Sequence, residues 1–105
     1  MPFTNLNQCA SFNLVATSTG LTPLSTFSCS EVIITNPSNA TLLIYDNNNF
    51  NDTRALGILS GATVAVRGVT SSDSLSAKFL TAPAAGTIYC RAQYYSHSTV
   101  SYGWY

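Results

Sequence analysis

The side chains in this sequence most able to do chemistry are one histidine, three cysteines and a run of amides and carboxylates. His97 is the only histidine and sits in YYSHST, after the last alternating stretch. A Ser-His-Asp or Cys-His arrangement is assembled in space, so abundant Ser and Asp carry no information about it. No GxSxG elbow is present, and His97 reads as a solvated loop residue. Cys9, Cys29 and Cys90 are odd in number and lack the CxxC spacing of a zinc site. The opening MPFTNLNQCASF has no basic stretch and no continuous apolar run, so it does not read as a secretory signal. Reduced thiols are therefore expected over a Cys29–Cys90 bridge between facing strands. Asp46, Asn47, Asn48, Asn49, Asn51 and Asp52 put oxygen donors, the ligands calcium takes, on one loop. The EF-hand spacing is absent, and the run reads as an Asn-rich loop tip tolerant of left-handed backbone. No catalytic, cofactor-binding or metal-binding residue is assigned, and no enzyme activity is expected.

The aromatic residues are a different case. Tyr89, Tyr95, Tyr102, Trp104 and Tyr105 crowd the C-terminal fifth. They suit three uses: anchors for a protein partner, a platform for sugar, or cover for a second sheet face. The composition favours the first. Only 8% of the 105 residues are charged, against about 25% in an ordinary soluble domain. Ser, Thr and Asn, roughly a third of the chain, must supply the polar surface. Charge is depleted, and aromatic side chains enriched, at the centres of protein interfaces. A formal net charge of zero gives no electrostatic footprint for nucleic acid and no basic segment for a membrane surface.

The elements that must position these residues are strands. Gly86–Tyr95 (GTIYCRAQYY) places Ile88, Cys90, Ala92 and Tyr94 on one side and Tyr89, Arg91, Gln93 and Tyr95 on the other. A period of two over that length predicts a central strand with one buried face. Cys29–Asn36 and Thr41–Asp46 flank the turn Asn36-Pro37-Ser38-Asn39 and read as an antiparallel hairpin. In the second arm Leu42 and Ile44 share one face, Leu43 and Tyr45 the other. Both faces are apolar, so this strand is either covered twice or offers one face to another subunit. Leu56–Leu59, Ala62–Arg67 (Val64 and Val66 inward) and Leu75–Leu80 follow, with Pro83–Gly86 predicted to close a hairpin onto the central strand. Residues 1–27 alternate poorly; a strand is expected near Asn13–Thr17, as a docking arm or a first edge strand. No helical period occurs. The expectation is an all-β chain, a small antiparallel β-sandwich of jelly-roll or Ig-like type. Residues 1–27 form its arm or edge, and residues 28–105 the sandwich with an aromatic tail.

The order CSEVIITN, turn, TLLIYD, ILSGATVAVRGVTSSDSLSAK and GTIYCRAQYYS resembles small virion structural proteins of tailed bacteriophages. The match spans about Cys29–Ser96 and leaves the N-terminal stretch outside. It implies a β-sandwich on the virus particle, as a head decoration or cement protein or a tail or adaptor component. Such proteins assemble in the host cytoplasm without export. The partners implied are further copies of the chain and the major capsid protein or other virion proteins. The contact residues expected are Leu43 and Tyr45, with Tyr102, Trp104 and Tyr105 as anchors and Phe3 in the arm, since Trp and Tyr dominate binding hot spots. The competing expectation is a carbohydrate- or host-surface-binding module that uses the same aromatics on sugar.

Overall fold

The computed structural model describes residues 9–46 and 55–94, with the side chain of Cys9 left aside. Eight strands form: β1 (Cys9–Val15), β2 (Thr22–Pro23), β3 (Glu31–Thr35), β4 (Leu42–Asp46), β5 (Leu56–Ile58), β6 (Thr63–Arg67), β7 (Leu75–Phe79) and β8 (Thr87–Gln93). A 3₁₀ turn, Ser72–Ser74, precedes β7. The strands make two antiparallel four-stranded sheets, ordered β1-β8-β3-β6 and β2-β7-β4-β5.

That order has a simple origin. β1 pairs with β8, β2 with β7, β3 with β6 and β4 with β5, all antiparallel. These pairs are nested, as in one long hairpin whose first arm is β1 to β4 and whose second is β5 to β8. Rolling that hairpin brings β8 against β3 and β7 against β4. The result is the jelly-roll form of the sandwich, which settles the choice left between jelly-roll and Ig-like. β8 is central in its sheet, as its alternation predicted: Ile88, Cys90 and Ala92 are buried, and Tyr89 and Arg91 are exposed.

Two expected hairpins do not form. β3 and β4 lie in opposite sheets, and so do β7 and β8. Both connections carry the chain over the end of the sandwich. Turn residues fix that the backbone reverses, but the strand after the turn joins whichever sheet has an open place. Among the described strands only β4 and β5 are sequence neighbours that pair, through Leu42↔Ile58 to Ile44↔Leu56. The first strand also departs from expectation. It starts at Cys9 and stops at Val15, two residues before Thr17. Phe12 and Val15 lie on opposite faces; the alternating apolar set is Ala10, Phe12 and Leu14. β1 takes an outer place, so this segment is an edge strand.

The core fills the space between the sheets. Val32, Ile34, Ile88, Cys90 and Ala92 meet Leu42, Ile44, Ile58, Leu75, Ala77 and Phe79. Phe12, Leu14, Val64 and Val66, on the two outer strands of the first sheet, pack against this cluster half-buried. Non-directional burial of such side chains is the main favourable term in folding, and the period of two decides which residues contribute it.

Candidate interaction surface

The outer face of the first sheet is a polar ladder. Register places Gln93, Glu31 and Arg67 side by side. Gln93 Nε2 donates to Glu31 Oε1 at 2.7 Å, and Arg67 Nε donates to Glu31 Oε2 at 2.9 Å. These bonds, Gln93's first and Arg67's second, hold the Glu31 carboxyl below its ordinary value against the opposing effect of burial. Two rows along, past Ile33 and its neighbours Ala65 and Arg91, Thr35 and Thr63 share a 2.8 Å hydroxyl bond. Tyr89, half exposed, stands between Asn13 and Thr35 in that row. Hydrogen bonds within the sheet thus occupy the two outer rows of this face, with Ile33 and Ala65 between them.

The outer face of the second sheet carries Leu43 and Tyr45, opposite to the core pair Leu42 and Ile44 as the alternation predicted. Both are already covered within the single chain: Leu43 is 7% exposed and Tyr45 1%. The Lys78 ammonium lies 5.5 Å from the centre of the Tyr45 ring, a cation–π distance. Of the two outcomes foreseen for this strand, the structure takes double cover. A partner reaches these two side chains only by displacing what covers them. The other expected contact residues, Phe3, Tyr102, Trp104 and Tyr105, fall outside the described residues. So do His97, Tyr95 and the loop donors Asn47 to Asp52.

The three most exposed large apolar side chains among the described residues lie instead at one end of the sandwich. The connections at residues 16–21, 36–41, 59–62 and 80–86 meet there. Backbone bonds tie them together: Ala16 to Gly86, Phe79 to Thr17, Leu80 to Thr41 and Asn36 to Ala62. Asn39 Oδ1 accepts from the Ala84 N–H at 2.9 Å. None of the four contains a charged residue. Leu59, Val15 and Leu80 are 68%, 65% and 60% exposed, where large apolar side chains ordinarily lie inside. Residue composition alone did not reveal this patch. Its members are scattered through the sequence, and only the rolled topology brings them to one end.

Beneath this apolar end is a polar hub. Asn36 is fully buried. Its Nδ2 donates to the Ala40 and Ile58 carbonyls at 2.8 and 2.9 Å. Its Oδ1 accepts from the Ser38 N–H and hydroxyl at 3.1 and 2.7 Å. Two donors and two lone pairs are all used. The amide thereby clamps the 36–41 crossover to the end of β5, and the sequence signal for it looked like an ordinary turn.

Titratable chemistry is subdued. Cys29 and Cys90 are free and buried, with no bridge between them. Burial raises both thiols, Cys90 to about 12, so they stay protonated near neutral pH and are weak nucleophiles. Asp73 is held below its ordinary value, first by the Ser71 hydroxyl. Among the described residues no group of three or more His, Cys, Asp or Glu is placed to hold a metal ion. Comparison with known proteins adds no further constraint: no family model, curated protein or solved structure matches the chain.

Proposed function

We propose that this chain is a non-enzymatic structural protein of a bacteriophage particle. In this reading it is a capsid decoration or cement protein that binds the major capsid protein and its own copies. It resides in the virion after assembly in the host cytoplasm. The observation that carries the reading is the charge-free end with exposed Val15, Leu59 and Leu80. An uncharged apolar surface on a neutral domain is suited to meeting another protein. The jelly roll is used by capsid domains, an argument by analogy of fold. Stable attachment needs an interface of about 1,600 Å² in total, and many copies on a shell add avidity. Phe3, Tyr102, Trp104 and Tyr105 are kept in this reading as further anchors; Leu43 and Tyr45, covered within the single chain, are not.

The test is co-sedimentation of the purified chain with particles from which it has been removed. The expected result is saturable binding that is lost when Leu59 and Leu80 are both replaced by Ser. Binding that survives this change, or no binding by the folded chain, contradicts the reading.

The second reading is a carbohydrate- or host-surface-binding module, since lectin domains also use the jelly roll. The observation favouring it is Tyr89, an exposed ring flanked by Asn13 and Thr35 on the polar face. Binding on a glycan array that disappears with Tyr89→Ala would support it over the first.

A further inference from the structure

Sheet edges present unpaired N–H and C=O groups, and proteins ordinarily guard them with charge, proline, bulges or brevity. Among the described strands four lie at sheet edges, and three are guarded. β2 is two residues long and ends in Pro23. β5 is three residues long around Gly57. β6 ends in Arg67, with Gly61 and Gly68 at positive φ just beyond its two ends. β1 has none of these devices. Its sequence CASFNLV holds no charge and no proline, and it pairs with β8 without interruption from Cys9↔Gln93 to Val15↔Thr87.

The phase of that pairing is fixed. The Ala16 N–H donates to the Gly86 carbonyl, and antiparallel bonding alternates. The backbone groups of Ala10, Phe12 and Leu14 therefore face β8, and those of Cys9, Ser11, Asn13 and Val15 face outward. Among the described residues nothing pairs with that outward side. Phe12 and Leu14, although they point into the sandwich, remain half-buried because it is open there. Phe27 lies against Phe12, ring centres 5.2 Å apart, and is itself partly exposed. Ser72 holds Phe27 in place, since its Oγ accepts the Phe27 N–H at 2.9 Å.

We propose that β1 pairs antiparallel with β1 of a second copy about a two-fold axis at Phe12, joining two four-stranded sheets into one of eight. The strand is complementary to itself in this register. Phe12 meets Phe12 of the other copy in a non-hydrogen-bonded position, where side chains approach most closely. Leu14 meets Ala10 on the same inner side. Ser11 meets Asn13 on the outer side, through hydrogen-bonded pairs. No charge opposes a like charge, and the half-covered aromatic strip is completed by its own image. An isologous two-fold contact of this kind closes at a dimer. The inference deepens the self-association in the proposed function, and its test uses the isolated chain, so its failure is distinct from a failure of particle binding.

The mass of the purified chain by light scattering at about 100 μM (roughly a hundredfold above a micromolar Kd) is expected to be twice that of the monomer. Asn13→Pro removes an outward N–H and no bond to β8, and Asn13→Lys adds the missing guard; whichever variant folds, by circular dichroism, is expected to be monomeric. Register is read by oxidation in a Cys9→Ser background. Ser11→Cys with Asn13→Cys is expected to give a covalent dimer, and Ser11→Cys alone none. A monomeric wild type, a dimer untouched by both Asn13 changes, or cross-linking by Ser11→Cys alone would overturn the proposal.

Discussion

The two ends of the sandwich solve the same problem with opposite surfaces. At the end formed by residues 24–30 and 68–74, polar groups do their work partly in the open. Asp73 accepts from the Ser71 and Thr26 hydroxyls, and Glu31 and Arg67 pair on the neighbouring strand ends. At the other end the polar groups that fix the loops are hidden. Asn36 and Ser38 are buried, and Val15, Leu59 and Leu80 stand outside among the exposed but uncharged Thr17, Thr19, Asn39, Ser60 and Thr81. Both ends are firmly hydrogen-bonded, so the difference is in what each shows to its surroundings. Among the described residues the first end carries charged groups, with Phe27 partly exposed beside them. The other ties its loops together with backbone bonds and presents an uncharged surface with three exposed apolar side chains, as the proposed contact with another protein requires.

Removing the hub should have the largest effect. Asn36→Ala takes the amide donor from the Ile58 carbonyl, leaves the Ala40 carbonyl only the Ser38 hydroxyl, and removes the acceptor of the Ser38 N–H, and a loss of about 2–4 kcal/mol is expected in urea unfolding. A loss under about 0.5 kcal/mol would show that the hidden fixings of this end are not what order it. Gly86→Ala comes next. A Cβ at Gly86 would press into the carbonyl oxygen of Ala16, which is backbone and cannot swing away. Since the Ala16–Gly86 bond closes the β1–β8 ladder, a loss of about 1–3 kcal/mol is expected, with faster hydrogen exchange along β1.

Glu31→Gln probes the opposite end. Its carboxyl is held low by Gln93 and Arg67, so it adds stability above the ordinary carboxylate range, and this is lost as pH falls through the folded value. The variant should be less stable than the wild type by about 1 kcal/mol at pH 7. The gap should close on acidification; a gap constant with pH would mean that charge plays no part there. The smallest change in stability is expected from Leu59→Ser with Leu80→Ser, within about 0.5 kcal/mol, since both side chains already face solvent. Their effect belongs to binding. A large loss of stability with no change in particle binding would reverse the contrast between the ends.

Much of the fold was legible in the sequence because a strand with one buried face repeats every second residue. The period groups Ile88, Cys90 and Ala92 on one face and Leu42 with Ile44 on another, and these sets, with Leu75, Ala77 and Phe79, occupy the core. Strand partnership was not legible. The turn residues at Asn36–Asn39 and Pro83–Gly86 signal reversal equally well for a hairpin and for a crossover, and the β1–β8 pairing joins residues as far apart as Cys9 and Gln93. β1 was obscured because Phe12 and Val15 draw the eye to opposite faces, whereas Leu14 carries the pattern. The candidate surface was legible only as a shortage of charge. Leu43 and Tyr45 gave the right face but are covered in the single chain. Leu59 and Leu80 became a patch only once four distant loops met, and the Asn36 hub was hidden because the same residue type also makes an ordinary turn.

The central claim, that this chain is a fixed part of a virus shell, is tested most directly by electron microscopy of particles assembled with and without it. The account expects the difference map to show jelly-roll-sized density on the shell, with the Val15, Leu59 and Leu80 end turned toward other protein. Identical shells in the two preparations, or density that attaches through the Glu31–Arg67 face and leaves the apolar end in water, would contradict it.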